Sequence, residues 1–244
     1  TLSRTIINTP VISVTNTSPY LEDFEAGNGY WYTDGTNDSW EFGTPSSYKI
    51  NRAASGVQAW KTRISGNYND NETSYLYSPC FNISTMSNPT LSFSLALDLE
   101  DCGSGFCDGA YVEYSNDGTN WSRLGAFGQG FNWYNKGYSG NNLWSVANYH
   151  RWHVATIPLS VISIPVNQLT QLRFRIVVRS DESVNRDGIA VDDIHIYDNP
   201  YGIYDGVTMG SPTNGSIPGG TGWVDFLSAG KLIASVNSPV SMGS

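Results

Sequence analysis

The sequence predicts an all-β protein that folds as an antiparallel β-sandwich. Several short runs carry an apolar residue at every second position, which is the pattern of strands with one buried face. Gly, Asn and Asp residues separate these runs, and helical periodicity is almost absent. With 244 residues and 39% hydrophobic content, the chain is long enough to bury one large core.

The predicted strands differ in the strength of their alternation. It is clearest in three runs: residues 91–97, 110–114 and 172–178. The second run ends at the turn Asn116-Asp117-Gly118, and the third turns two arginines outward. Weaker strands are predicted at residues 40–42, 59–62, 75–77 and 152–157, with an edge strand at 12–14. Many short strands joined by such turns favour a sandwich.

The closing strand, at residues 189–196, interrupts its own alternation. The apolar residues at 189 and 191 share one side, whereas those at 194 and 196 share the other. A regular strand cannot move its apolar face across, so we predict a β-bulge at Asp192 and Asp193. Two carboxylates at a bulge, with a third from the opening segment, favour a site for a hard cation such as Ca²⁺.

Charge and composition argue against several classes of binding partner. The net charge of −9 argues against a nucleic acid or an anionic membrane surface. No run of about 18 apolar residues is present, so no membrane insertion is expected. Only 14% of residues are charged and 13% are aromatic, which is typical of secreted β-proteins. The chain starts without an initiator Met, so we expect it to be part of a longer precursor.

Three cysteines point to an oxidising compartment. Cys102 and Cys107 flank a short Gly-rich loop, and we predict a disulfide between them. A ring this small would order the loop more than it would stabilise the fold. The alternative is a metal site at this pair, but zinc needs about four ligands and the sequence has no second Cys pair. Cys80 is expected to be a buried thiol.

A long region, residues 125–148, is rich in Gly, Asn and aromatic residues. A loop of this length in a compact sandwich is usually functional or disordered, and its aromatic residues argue against disorder. Its rings either cap an open end of the sandwich or form a ligand surface. For the second case we predict Trp133, Tyr134 and Trp144 as the ligand-binding residues.

Two further groups have the residue types of a chemical site. Asp98, Glu100 and Asp101 follow a predicted strand and directly precede the cysteine loop, where solvated charges are expected. The functional alternatives are a second metal-binding loop and the carboxylates of a hydrolase. His150 and His153 have the spacing of two helical metal ligands. In a strand these positions face opposite sides, so a structural role is expected.

The chain divides into three predicted parts. Residues 1–19 form a leading segment, and residues 20–198 form the sandwich domain. Residues 199–244 begin as a Pro- and Gly-rich linker and contain two strand patterns, at 223–226 and 231–236. Because two strands cannot bury a core alone, this part either packs on the sandwich or opens a following domain.

Several motifs along residues 20–198 carry a family resemblance. They are Asp23-Phe24-Glu25 with Trp31, Asp38-Ser39-Trp40, residues 76–81, residues 108–115 with Trp121, and the closing strand. In this order they resemble the MAM-like jelly-roll modules of secreted and surface proteins, many of them from Bacteroidetes. The cysteine pattern of animal MAM domains is missing, which argues against their dimeric adhesion role.

The resemblance implies a two-sheet jelly roll without catalytic activity, stapled by a structural Ca²⁺ between its first and last strands. By position, the implied ligands are Glu25 and Asp193, with Asp192 as a substitute for Asp193. Asp38 and Asp34 lie in the early loop that supplies a further oxygen in such modules.

The predicted function is a non-catalytic binding or adhesion module of a larger exported cell-surface protein. The alternative is a carbohydrate-binding module of a secreted polysaccharide-degrading enzyme. The expected partners are a glycan or protein ligand at the cell surface and the other domains of the same precursor.

Overall fold

The computed structural model describes residues 10–103, 107–138 and 140–200, together with the paired backbone at 227–228 and 231–232. The first eight strands are β1 (Val11–Ser13), β2 (Tyr20–Glu22), β3 (Tyr32–Thr36), β4 (Trp40–Gly43), β5 (Ala59–Thr62), β6 (Thr73–Tyr77), β7 (Cys80–Asn82) and β8 (Pro89–Asp98). The next seven are β9 (Gly109–Ser115), β10 (Ser122–Arg123), β11 (Lys136–Tyr138), β12 (Asn141–Leu143), β13 (Tyr149–Pro158), β14 (Arg173–Arg179) and β15 (Gly188–Asp198). Two 3-10 turns, Leu159–Val161 and Val166–Gln168, join β13 to β14.

Two antiparallel sheets form the sandwich, which confirms the predicted fold class. One sheet has five strands in the order β10-β9-β14-β6-β3. The other has six, in the order β13-β8-β15-β5-β4, with β2 also paired to β15. A short parallel pair, β1 with β7, and a hairpin of β11 and β12 complete the described part. The C-terminal β extension is a pair of two-residue strands, β16 (Leu227–Ser228) and β17 (Lys231–Leu232).

The core lies between the sheets and is built by the predicted alternation. The inward residues of β8, β14 and β15 are less than 3% exposed: Leu91, Phe93, Leu95, Leu97, Phe174, Ile176, Val178, Ile189, Val191, Ile194 and Ile196. Burial of each such side chain contributes about 1.5–3 kcal/mol to folding. These three strands therefore contribute much of the buried apolar surface that stabilises the fold. They also hold the side chains on their outer faces in fixed positions.

The outer face of the six-stranded sheet is covered. All ten residues of β8 are buried, including the small and polar ones that point away from the core. Residues 49–58, here called the covering segment, lie over this face: Ile50 packs on Ala96 and Ala190. The buried Asp187 carboxylate accepts hydrogen bonds from the amides of Lys49 (2.6 Å) and Ile50 (2.8 Å). Residues 49–50 are thereby fixed to the loop before β15.

The predicted bulge is present in β15. The pairing of β15 with β8 shifts register between Asp192 and His195, and Asp193 has a left-handed φ of 49°. At the same point the other edge of β15 changes partner: Ala190 and Val191 pair with β5, whereas residues 194–196 pair with β2. The bulge therefore marks the junction of three strands of the six-stranded sheet.

Some predictions fall where no structure is described. Residues 1–9 of the leading segment and the predicted strand at 223–226 lie outside the described residues, and of 231–236 only the pairing at 231–232 is described. Within the described part of the chain, no helix has the length and apolar character needed to cross a membrane.

Candidate functional site

The three predicted ligand-binding rings are in the core. Trp133, Tyr134 and Trp144 are 2%, 4% and 2% exposed, and their ring centroids lie 4.7–5.5 Å apart. Their polar atoms are satisfied internally: Trp133 Nε1 donates to Leu124 O at 2.9 Å and Trp144 Nε1 to Asn132 O at 3.0 Å. Rings in this position cannot stack on a ligand from solvent. The prediction that they bind a ligand is therefore wrong, and all three are core residues.

A different set of rings lines the outer face of the five-stranded sheet. We call Tyr32, Tyr75, Tyr77, Tyr111 and Trp121 the aromatic face; all five are partly exposed. In β6, Ser74 and Leu76 are buried, which turns Tyr75 and Tyr77 outward. Strand register brings Tyr32 opposite Tyr77, and Trp121 immediately precedes β10.

Four rings of the aromatic face, all except Tyr111, form a continuous row centred on Tyr77. Tyr32 stacks on Tyr77 with centroids 5.0 Å apart and planes 12° apart. Tyr77 meets Trp121 edge-on at 5.5 Å and lies 5.8 Å from Tyr75. Aromatic pairs at such distances add about 0.5–1.5 kcal/mol beyond the area they bury, so the row is held in a defined arrangement.

Arg175 locks the centre of this row. Its guanidinium carbon lies 4.3 Å from the ring centre of Tyr75 and 4.4 Å from that of Trp121. Arg175 Nη1 donates to the Tyr77 hydroxyl at 3.1 Å, and Nε donates to Glu113 Oε2 at 2.7 Å. Burial raises the pKa of Tyr77, while Arg175 acts in the opposite direction. These contacts hold the rings at the centre of the face in place. Because Glu113 neutralises Arg175, the centre carries no net charge.

The face continues over β9. The Arg123 guanidinium lies 3.3 Å from the ring centre of Tyr111. Beneath the rings, Val177 is fully buried although it points away from the core, because it pairs with Tyr75 on one side and Tyr111 on the other. The inner edges of the rings thus pack on the sheet, and their remaining surface faces solvent.

A sequence signal for this face exists. The run Thr73–Tyr77 alternates large aromatic residues with small or apolar ones, so a strand assignment alone puts both tyrosines on one side. The local pattern does not reveal whether this outer face is open to solvent or covered by another segment. Residues 49–58 cover the other sheet, and their path could not be read from the alternation within a strand.

Three of the predicted metal ligands converge on the covering segment. Asp192 Oδ2 accepts from the amides of Ala54 (2.9 Å) and Ser55 (3.1 Å). Asp193, which is also fully buried, accepts from Ser55 Oγ at 2.7 Å. The exposed Glu25 accepts from the amides at 57 and 58, at 2.9 and 2.8 Å. One five-residue stretch therefore joins the opening segment to the closing strand.

Asp192 and Asp193 are adjacent and fully buried, so their negative charges repel each other. Burial raises the pKa of Asp192 to about 7, and the neighbouring Asp193 charge acts in the same direction. The donors to Asp192 are neutral amides, including the Asp193 N–H at 2.8 Å.

The fourth predicted ligand, Asp38, is held elsewhere. It lies in the turn between β3 and β4, where it accepts from the Trp40 amide at 3.0 Å and bonds to the Thr33 side chain. Burial raises the pKa of Asp38. Among the described residues, two groups of three potential metal ligands have their ligand atoms within 4.8 Å of one another, and neither includes a predicted ligand. They are Glu100 with the disulfide-bonded Cys102 and Cys107, and Glu100 with Asp108 and Asp181.

The acidic run after β8 is dispersed among several partners. Asp98 is buried and pairs with Lys49, whose Nζ lies 2.9 Å from both carboxylate oxygens. Asp101 pairs with Lys136, and Glu100 lies near Asp108. Asp98 and Asp101 are thus each neutralised by their own lysine. Glu100 differs from them, because its Oε2 is buried and has no hydrogen-bond partner among the described residues.

The cysteines are arranged nearly as predicted. Cys102 and Cys107 are joined by a disulfide. Cys80 is a free thiol, but it is partly exposed rather than buried, and Arg173 Nε donates to its sulfur at 2.8 Å.

No family model matches the sequence. A stretch of 187 residues, 76% of this chain, is 30% identical to bacillopeptidase F of Bacillus subtilis (strain 168). The chain spans only 11% of that protein's length, so the activity of the whole relative does not transfer to it.

Among solved structures, this chain is similar to the TmCBM61 module in complex with β-1,4-galactotriose, with a TM-score of 0.44 and 12% identity. That similarity covers 73% of this chain and 95% of the module. It is also similar to the K1 cleaved adhesin domain of Lys-gingipain from Porphyromonas gingivalis W83, with a TM-score of 0.43 and 14% identity over 74% of this chain and 98% of that domain. At these scores the similarities say nothing about the ligand of this chain.

Proposed function

We propose that this chain is a non-catalytic glycan-binding module of a larger exported protein and that the aromatic face is its ligand surface. The observation that carries the proposal is the row of partly exposed rings on the outer face of the five-stranded sheet. Tyr and Trp rings offer flat, amphipathic surfaces that stack on the C–H faces of sugars and hydrogen-bond at their edges.

The rigidity of the face supports this role. The contacts of Arg175 with Tyr75, Tyr77 and Trp121 fix the rings before any ligand arrives, so binding costs little side-chain entropy. The Arg175–Glu113 pair leaves the centre without net charge. A preformed aromatic row whose central ion pair carries no net charge suits an uncharged oligosaccharide chain lying across the strands.

The test is binding to immobilised neutral oligosaccharides, including β-1,4-galactotriose, by glycan array and calorimetry. We expect Trp121→Ala and Tyr75→Ala to weaken binding at least tenfold, because each removes a stacking surface. Tyr48→Ala is the matched control, since Tyr48 is 91% exposed and lies outside the face; it should bind as the parent does. Absence of binding across the array, or equal losses in all three variants, would contradict the proposal.

We also infer that Ca²⁺ stabilises the module through Glu25, Asp192 and Asp193. The support is their convergence on one stretch of the covering segment and the burial of two adjacent carboxylates. A cation here would offset the repulsion between Asp192 and Asp193 and join the first and last parts of the sandwich.

The calcium inference predicts that a chelator lowers the melting temperature of the intact chain. Glu25→Gln and Asp193→Asn should each lower the melting temperature and abolish the response to chelator, because they remove ligands. Asp117→Asn is the control, since Asp117 is bound within its own turn to Thr119 and Asn120 and should leave the response unchanged. Melting of the parent that ignores both chelator and added Ca²⁺ would overturn the inference.

A further inference from the structure

A second candidate site lies on the other sheet. It is a surface pocket of about 310 Å³ between β13 and the start of the covering segment, and we call it the basic pocket. Its lining is Lys49, Ile50, Asn51, Arg52, His150, Arg151 and Trp152. The chain has a net charge of −9, yet three of its 13 Lys and Arg residues line this pocket and no Asp or Glu does.

A bulge in β13 builds one wall. Tyr149 pairs with Leu97 and His153 pairs with Leu95, so three residues of β13 stand opposite Ala96 alone. Residues 150–152 are therefore displaced from the regular ladder. Bulges of this kind redirect side chains, and they are frequent beside functional sites.

The covering segment builds the other wall and is held rigidly. Asp187 binds the amides of Lys49 and Ile50, and Ile50 is buried against the sheet together with Trp152. Trp152 Nε1 donates to the carbonyl of Arg52 at 3.0 Å and so links the two walls. The pocket is therefore preformed: the Trp152 ring on β13 and the backbone at Arg52 hold its two walls together.

Its positive charge is only partly compensated. Lys49 is neutralised by Asp98, whose side chain is almost fully buried. Within the described part of the chain, the side chains of Arg52 and Arg151 are exposed and take part in no ion pair or hydrogen bond. His150 Nδ1 is buried and has no hydrogen-bond partner among the described residues.

We propose that the basic pocket binds the anionic group of an acidic glycan, either the carboxylate of a uronic acid or a sulfate ester. Two guanidinium groups supply charged donors for such a group, and the indole of Trp152 offers a surface for the ring that carries it. The volume is at the lower end of the range of about 300–1,000 Å³ for small-molecule sites, which suits one charged sugar. This site is separate from the aromatic face and does not depend on its function.

The experiment measures binding of the full chain to oligogalacturonate, to the same oligosaccharide with its carboxylates methyl-esterified, and to a sulfated oligosaccharide. We expect binding of at least one anionic glycan and loss of binding on esterification. The double variant Arg52→Ala/Arg151→Ala should weaken binding at least tenfold, and added salt should weaken it further. The charge-matched control Arg63→Ala/Arg179→Ala should stay within twofold of the parent.

Four outcomes would overturn the proposal. They are no binding of either anionic glycan, equal binding of the esterified form, equal losses in the two double variants, and equally tight binding of a poly-glutamate peptide. Trp121→Ala separates this site from the aromatic face: it should leave oligogalacturonate binding unchanged, and a loss there would assign the acidic glycan to the aromatic face instead.

Discussion

Lys61 illustrates how single residues hold this sandwich together. Its side chain is fully buried, and its ammonium donates to the carbonyls of Thr62 (2.8 Å), Arg63 (2.8 Å), Gly66 (3.3 Å) and Asp187 (2.5 Å). These carbonyls come from the last residue of β5, from the loop that follows it and from the residue before β15. A buried cation surrounded by oxygen dipoles thus joins two loops that are distant in sequence, much as a bound metal would.

Replacing Lys61 by Met should destabilise the chain by about 3 kcal/mol, because several buried carbonyls lose their donor while the volume is nearly kept. Urea denaturation measures this loss. Lys136→Met is the control, since Lys136 forms a less buried ion pair with Asp101 and should cost less than about 1 kcal/mol. Equal stability of Lys61→Met and the parent would show that the ammonium is not needed.

The same residue makes stability depend on alkaline pH. Burial lowers the pKa of Lys61 from its ordinary value of 10.5 to about 8, with Asp187, Glu41 and Asp98 acting in the opposite direction. Between these values the unfolded chain binds the proton more tightly, so the contribution of Lys61 to the free energy of unfolding rises with pH. Subtracting the pH profile of Lys61→Met from that of the parent should reveal this rise between pH 8 and 10.5.

At the scale of elements, the covering segment connects the first and last parts of the sandwich. Within it, Gly56 lies against the side chain of Glu25. A Cβ at Gly56 would lie 2.2 Å from Glu25 Cδ, and the residue has a φ of 55°. A side chain here must therefore push Glu25 away from the amides at 57 and 58 that it binds.

Gly56→Ala should consequently cost more than its backbone strain alone. Gly118 is the matched comparison, because its φ is 72° but a Cβ at this position would meet nothing within 4 Å. We expect Gly118→Ala to cost about 1 kcal/mol and Gly56→Ala about 0.5–1.5 kcal/mol more, because the displaced Glu25 loses its bonds to two amides; chemical denaturation measures both. Equal losses in the two variants would mean that the Glu25 contact contributes nothing to stability.

Elements with strong alternation were predictable, and those defined by tertiary contacts were not. The strands β8, β9 and β14 follow from their alternating apolar residues. By contrast, β3 reads Tyr-Thr-Asp-Gly-Thr and carries no apolar stripe, because its role is to extend a sheet whose core other strands fill. A local pattern identifies the face of a strand but not what covers that face.

The same distinction explains the candidate sites. The bulge at Asp192 was visible as a shift of the apolar face within one strand. The burial of Trp133 and Trp144 was not, since it results from the β11–β12 hairpin region folding back against Phe93. A Gly-rich sequence with several aromatic rings has the same composition in an exposed loop and in one that fills the core.

For the whole molecule, the two sheets have different outer faces. One is covered by a segment fixed through buried carboxylates, and the other is open and carries the aromatic row. Both sheets and the buried core of the described residues lie between Val14 and Asp198. The last strand ends at an anchor, since Asp198 accepts from the amides of Ser87 (3.0 Å) and Asn88 (2.5 Å).

A chain ending at residue 200 should therefore fold independently. We expect cooperative thermal unfolding with a melting temperature within about 3 °C of the full chain, which corresponds to roughly 1 kcal/mol for a domain of this size. A chain ending at residue 187 is the comparison. It lacks β15, which lies between β8 and the strands β5 and β2, and it should show no cooperative transition. If the chain ending at 200 also unfolds without cooperativity, residues 201–244 are part of the folding unit, and the predicted boundary near residue 198 is wrong.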